Sequence, residues 1–321
     1  MRTLTLLSLA LLSGCSAMSS KHTFESDKQT PISPLQSYYD YSLATPSGNG
    51  VDLSQLANKL KDYDVVLVGE WHTHPAVHLF QAQLFQQLAT SGEPLALSME
   101  QFSRPEQPII DQYLAGEVGE QILIKQGKAW PNYESDYRSL VELAKANNSD
   151  IIAANAPKDL VRCIGREGIE YLDRVTPEQR QMVASQIDLS DTPYRQKFMA
   201  SMHHGSPEQT SKQYAAQVTW DETMAESIVE YITEHPTSQV IHVAGKFHTE
   251  GGLGTAQSIL KRNPQLSIAI VTPVSEFTSE GSDYQLKVLT PPARYVKKEN
   301  RMQAYHSLSK RNHTLTCEVE D

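Results

Sequence analysis

The chain has 321 residues, with 28 Lys and Arg against 38 Asp and Glu and a formal net charge of −10. No run of Lys or Arg interrupts that acidic balance, which argues against nucleic acid or an anionic membrane surface as partner. A length of 321 residues with 39% apolar content admits one large domain with a sizeable core.

At the N-terminus, Met1 and Arg2 precede an apolar stretch over residues 4–12 and then Ser13-Gly14-Cys15. One positive charge, a short apolar core and small residues before a cysteine describe a secretory signal, too short to persist as a membrane span. Leu12-Ser13-Gly14-Cys15 resembles the lipobox of bacterial lipoproteins, which implies cleavage before Cys15 and a lipid on its thiol. Ser16 follows in place of an aspartate, and by resemblance to other lipoproteins this favours a lipid-anchored protein of the bacterial outer membrane, facing the periplasm or the cell surface. Loss of residues 1–14 leaves 321 − 14 = 307 residues and, with Arg2 gone, a charge of −11. Residues 15–37 are polar and without apolar periodicity, a flexible tether reaching roughly 25 Å. Of the remaining thiols, Cys163 and Cys317 either pair in an oxidising periplasm or stand apart, and spacing alone does not decide.

From residue 38 to 295 the pattern is that of an α/β domain, followed by a polar tail over 296–321. A helix is expected at 53–63, then a buried strand at 65–68. Pro75 opens a helix whose apolar positions Val77, Phe80, Leu84, Phe85 and Leu88 follow the 3.6 period. A strand at 95–99 ends at Glu100, helices are expected at 107–114 and 137–146, and a strand at 151–154 ends at Asn155. Residues 176–235 read as a helical insertion able to close over the strand ends, its best helix at 214–234. Strands return at 240–244 and 266–271, with an edge strand at 284–289. Strands alternating with helices predict a mainly parallel sheet flanked by helices.

One short pattern occurs twice, as Gly69-Glu70-Trp71-His72 and Gly245-Lys246-Phe247-His248, each directly after an apolar strand. Ligands of open α/β sheets bind beyond the carboxyl ends of the strands, so both imidazoles are expected in that crevice. Each glycine would let the chain turn sharply on leaving the sheet. Glu100 and Asn155, ending other strands, would converge there. His74 and His78 share a helix face and either join His72, Glu70 and Glu100 in a transition-metal site or, the favoured reading, lie on a solvated helix start. Gln217 and Asp221 lie one turn apart on the helix that carries Met224, with Trp220 on a neighbouring face. Trp130-Pro131-x-Tyr133-x-x-x-Tyr137 is an aromatic cluster that either fills a core or offers phenol oxygens and ring faces to a porphyrin. His203-His204-Gly205 sits in an expected loop, where at most one imidazole serves a site. No Gly-x-Ser-x-Gly elbow, P-loop, dinucleotide fingerprint, H-E-x-x-H or C-x-x-C-H is present.

Five blocks in order carry a family resemblance: residues 65–72 (Val65 to His72), Ser98-Met99-Glu100-Gln101-Phe102, Ala153-Ala154-Asn155-Ala156-Pro157, Gln217-x-x-Trp220-Asp221-x-x-Met224-Ala225 and Ala244-Gly245-Lys246-Phe247-His248. Over about residues 62–272 they resemble the ChaN family of haem-binding lipoproteins, similar in fold to erythromycin esterases and the Tiki peptidases. The resemblance implies haem binding in iron uptake, with two haems stacked between the subunits of a homodimer. It further implies a tyrosine on each iron, a partner histidine near the propionates, and an outer-membrane haem receptor as a candidate partner. Tyr133, Tyr137 and Tyr214 are the candidate ligands, with Tyr133 favoured; His204, His248 and Lys246 are expected at the cofactor. Lys246 and Phe247 depart from the family's usual small residues. The alternative is a hydrolase using Glu70, His72, Glu100 and His248, either by general base catalysis or with a divalent metal on Glu70, His72 and His248.

Overall fold

Val65-Val66-Leu67-Val68 offers apolar side chains to both faces, as a strand covered on both sides requires. In the computed structural model, which describes residues 34–202, 206–313 and 315–317, this run is β3 (Val65–Glu70), fully buried within an eight-stranded sheet. The other strands are β1 (Tyr41–Ala44), β2 (Gly50–Val51), β4 (Leu95–Ser103), β5 (Ile151–Asn155), β6 (Gln239–Gly245), β7 (Ile268–Val274) and β8 (Tyr284–Val288). Their order is β2-β1-β8-β7-β3-β6-β4-β5; β8 to β5 run parallel, and β1 and β2 add an antiparallel margin.

Val66 and Val68 point into a core shared with α1 (Leu53–Leu60), α2 (Pro75–Ala89), α3 (Gln107–Leu114), α4 (Glu120–Gln126) and α5 (Arg138–Ala146). The second half of the chain supplies α6 (Lys158–Glu167), α7 (Pro177–Arg180), α8 (Pro193–Ser201), α9 (Pro207–Glu234), α10 (Lys246–Thr249) and α11 (Thr255–Arg262). Of these, α9 and α11 cover Val65 and Leu67 on the opposite face. Met224, Ala225, Ile228 and Ile232 form the apolar stripe of α9 against the sheet. Each large aliphatic side chain so buried contributes about 1.5–3 kcal/mol.

This topology places the site. β3 leads through α2 to β4, while β6, lying between those strands, leads through α11 to β7 on the far side of β3. The chain thus leaves two adjacent strands in opposite directions, and a crevice opens at their carboxyl ends.

Several expectations change. The strand at Tyr284–Val288 is interior, paired on both sides by β1 and β7, because the short β1 covers it. β4 runs on through Glu100 to Ser103, with a register shift against β5 after Met99. The long helix begins at Pro207, where Ser206 caps the Gln209 N–H at 3.2 Å, and it forms a sheet-covering layer rather than a lid. The polar tail contains α12 (Lys298–His313), and beyond it Cys317 is disulfide-bonded to Cys163 of α6, with Cα atoms 5.6 Å apart. Cys15, the signal, most of the tether and His203-His204-Gly205 lie outside the described residues. Among the described residues no helix is long and apolar enough to cross a membrane.

Candidate functional site

At the end of β3 the Glu70 carboxylate is buried and receives four hydrogen bonds. They come from Tyr137 Oη (2.7 Å), His72 Nδ1 (2.6 Å), Gln81 Nε2 of α2 (2.8 Å) and Gln101 Nε2 of β4 (3.2 Å). Burial works to raise its pKa, but the His72 hydrogen bond, the charges of His78 and His72 and the Gln81 amide outweigh it, so the pKa is lowered. His72 remains partly open to solvent, its ring edge-on to Trp130 with centroids 5.1 Å apart. Burial disfavours the charge on His72 as well, yet the Glu70 hydrogen bond and the charges of Glu100 and Glu70 raise its pKa. Thr73, the next residue, has φ 72° and carries the backbone strain of the turn.

The glycines serve close approach rather than a sharp turn. A Cβ on Gly69 would lie 2.6 Å from Thr249 Oγ1, and one on Gly245 would lie 2.9 Å from His72 Nε2. Gly245 itself has φ −51°, open to any residue. Its N–H donates to Glu100 Oε2 at 2.6 Å, which fixes that carboxylate between the two histidine turns.

At the end of β6, His248 of α10 is buried, with Nδ1 3.0 Å from Asp221 Oδ1 of α9 and Nε2 3.8 Å from Glu100 Oε1. Desolvation works to lower its pKa, but the charges of Asp221 and Glu100 and the Asp221 hydrogen bond push it up to about 9. Asp221 also accepts from Thr255 Oγ1 (2.8 Å) and Tyr194 Oη (2.7 Å). Gln217 Nε2 lies 3.0 Å from the His248 ring, and Trp220 packs on it edge-on. Two carboxylate–imidazole pairs, Glu70–His72 and Asp221–His248, thus flank Glu100, with both rings biased toward imidazolium.

Gln217 and Trp220 also line a cleft of about 600 Å³ between α6, α8 and α9. Phe198, Met202 and Val161 form apolar wall, Arg162 and Arg166 border it, and Gln213 carries a buried Oε1 with no hydrogen-bond partner.

The remaining expected residues take other places. His74 and His78 are buried: His74 Nε2 donates to the Leu289 carbonyl at 2.8 Å, and His78 Nδ1 lies 3.0 Å from Gln81 Oε1. The solvated helix start is therefore corrected; helix packing covers both rings. Asn155 braces the backbone, donating to the Glu100 carbonyl (3.0 Å) and accepting from the Ala156 N–H (2.8 Å). Tyr133 and Tyr137 bound a π-helical turn in the core beneath Phe102 and Trp130, and the Tyr133 hydroxyl is buried without a partner. Tyr214 is buried between Tyr194 and Phe198. Tyr137 Oη reaches the strand-end site as a donor to Glu70, whereas the Tyr133 and Tyr214 rings are held in core packing. Lys246 Nζ donates to the Pro273 carbonyl of β7 at 3.1 Å, beside the Trp71 ring. Among the described residues no group of three or more His, Cys, Asp or Glu side chains is placed to hold a metal ion, so Glu70, His72 and His248 do not form the expected ligand set. The Glu70 oxygens are engaged by internal donors, and His248 turns its Nδ1 to Asp221. Gln81, Gln101, Thr255 and Tyr194 were not expected at the site; only Gln101, directly after Glu100, carried a positional signal.

Comparison with known proteins agrees with this architecture. A structure of ChaN of Campylobacter jejuni with cofacially bound haem superposes with a TM-score of 0.62 at 18% identity, over 80% of this chain and 100% of that one. An erythromycin esterase, EreC, in its open conformation gives a TM-score of 0.45 at 14% identity over 84% of this chain and 87% of its own. The type III effector HopBA1 gives 0.41 at 10% identity, over 83% and 100%. Curated protein sequences yield no match. The family described as haem-binding uptake, Tiki superfamily, ChaN matches residues 56–259, a span that encloses both histidine turns and Asp221, and the chain belongs to that family.

Proposed function

We propose that this protein binds haem at the carboxyl ends of β3, β4 and β6 and serves haem and iron uptake as a lipoprotein anchored through Cys15 to the outer membrane, with haem held between the subunits of a homodimer. Family membership over 56–259 carries the reading. The disulfide between Cys163 and Cys317 suits an oxidising compartment.

The described residues fit a porphyrin on one observation in particular. The cleft lined by Gln217, whose amide lies 3.0 Å from the His248 ring, joins aromatic and thioether side chains to guanidinium groups, the mixture that a flat apolar dicarboxylate needs. His72 and Trp130 present a half-exposed imidazole and an indole at the other end of the crevice. Haem, when bound, brings the redox and ligand-exchange chemistry of its iron. The chain's own residues orient and shield it: Glu70 fixes the His72 ring, and Asp221 fixes that of His248.

The hydrolase reading has one observation in its favour, a carboxylate-oriented imidazole beside Glu100. An imidazole acts as general base only when neutral, and both rings are biased toward the protonated form, which weighs against His72 and His248 in that role.

Titration with ferric haem, followed by absorption, tests the proposal. The expected result is a saturable Soret shift, weakened several-fold in His72→Ala, with light scattering reporting a doubled mass in the loaded protein. An unsaturable, non-specific spectrum would overturn it, and ester or peptide hydrolysis that rises with pH and is lost in His72→Ala would replace it.

A further inference from the structure

The negative charge of the chain is unevenly spread. Residues 294–313 hold six of its 28 Lys and Arg (Arg294, Lys297, Lys298, Arg301, Lys310 and Arg311) but only one of its 38 Asp and Glu, Glu299. With histidines neutral that segment carries +5, which leaves −10 − 5 = −15 on the remainder. Its cations are interspersed with other residues instead of forming a run, so the overall balance points away from an anionic surface while this one segment points toward it.

The fold keeps those charges available. Cations of the α/β body are matched by carboxylates: Lys128 lies 2.7 Å from Glu106, Lys287 2.6 Å from Glu276 and Arg104 3.1 Å from Glu226. Among the described residues no carboxylate pairs with Arg294, Lys297, Lys298 or Arg301. Every residue from 291 to 307 is exposed except the half-buried Ala304, so the described side chains of α12 stand in solvent. Large apolar side chains are exposed with the cations, Val296 at 92%, Tyr305 at 50%, Tyr295 at 47% and Met302 at 38%. Met302 and Tyr305 share a helix face, and Lys298 and Arg301 each stand on that face four residues before one of them. β8 and the disulfide at Cys317 fasten the segment to the body at both ends. A partner for this helix must bring anions and also an apolar layer for valine, methionine and tyrosine. A phospholipid surface brings both, phosphates for the cations and an interfacial layer where tyrosine rings and the stems of Lys and Arg settle.

We propose that α12 and the residues leading into it, 294–307, are a docking surface for an anionic phospholipid membrane. Lys297, Lys298 and Arg301 meet the headgroup phosphates, and Val296, Met302 and Tyr305 enter the interfacial layer. The assignment does not depend on haem. Beside a lipid on Cys15 it supplies the second of the two signals that stable membrane attachment takes. Because the acidic remainder of the chain is repelled by the same surface, the basic segment also fixes which side of the domain faces the membrane.

The test is co-sedimentation of the chain from Ser16 onward, which keeps every described residue and carries no lipid, with vesicles of phosphatidylcholine alone or with about one third phosphatidylglycerol. Binding to the anionic vesicles is expected to be about tenfold or more tighter than to the neutral ones, and to be released at about 1 M salt, where the Debye length is about 3 Å. The triple variant Lys297→Gln, Lys298→Gln, Arg301→Gln should lose about tenfold or more with an unchanged unfolding temperature. Lys125→Gln with Lys158→Gln, two exposed lysines of the body, should lose little. Met302→Ser with Tyr305→Ser should weaken the binding while leaving its salt dependence in place. Binding to neither vesicle, equal binding to both, or binding indifferent to the triple variant would overturn the assignment. So would a dimer in light scattering that the triple variant dissociates without any vesicle binding, which would give the helix to a second copy of the chain.

Discussion

His248 is buried, and the carboxylates of Asp221 and Glu100 favour its charge strongly enough to outweigh that burial. Its folded pKa of about 9 stands above the ordinary 6.5, so the pair stabilises the fold fully below pH 6.5 and loses that contribution as pH rises through 9. Followed by NMR, the His248 ring is expected to titrate near 9, and in Asp221→Asn to fall by a unit or more. An unchanged value in the variant would show that Asp221 does not set it. Gly245→Ala makes a different point at the same site. Its Cβ would sit 2.9 Å from His72 Nε2, so the ring must swing off Glu70. The expected outcome is a lowered His72 pKa and several-fold weaker haem binding with little change in unfolding temperature.

Between elements, Asn155 links the end of β5 to the irregular stretch of β4 that carries Glu100. Asn155→Ala strands the Glu100 carbonyl and the Ala156 N–H, a loss of about 1–3 kcal/mol readable in urea unfolding. β3 and β5 were legible in the sequence because strands buried on both faces are written as unbroken apolar runs, and β6, as read over 240–244, departs from that only at the buried His242. β1 and β2 were not, since four and two residues give no period to count. For the same reason β8 was read as an edge. The Gln217–Asp221 spacing was visible on α9, but its pairing with His248, 27 residues on from Asp221, is a product of packing α9 against α10. Tyr194 gave no signal, being a lone aromatic in polar surroundings. Tyr133 and Tyr137 illustrate the reverse case: an aromatic cluster has the same spacing whether its rings fill a core or face a ligand, and here they fill the core.

On the scale of the whole molecule, the Cys163–Cys317 bond fastens the end of the described chain across 154 residues of sequence to α6, the helix that carries Arg162 and Arg166. Restricting so long a loop in the unfolded state is worth about 2–5 kcal/mol. Cys163→Ala with Cys317→Ala is therefore expected to lower denaturant stability by that amount and to weaken haem binding by loosening Leu315, which lines the cleft between α6, α8 and α9; an unchanged denaturation midpoint would count against a stabilising role. The central claim is that the crevice at the carboxyl ends of β3, β4 and β6 is where haem is held. Hydrogen–deuterium exchange of the protein with and without one equivalent of ferric haem tests it most directly. Slowed exchange is expected in residues 69–74 and 245–249 and in the facing parts of α6 and α9. Protection confined to other surfaces, with those segments unchanged, would contradict the account.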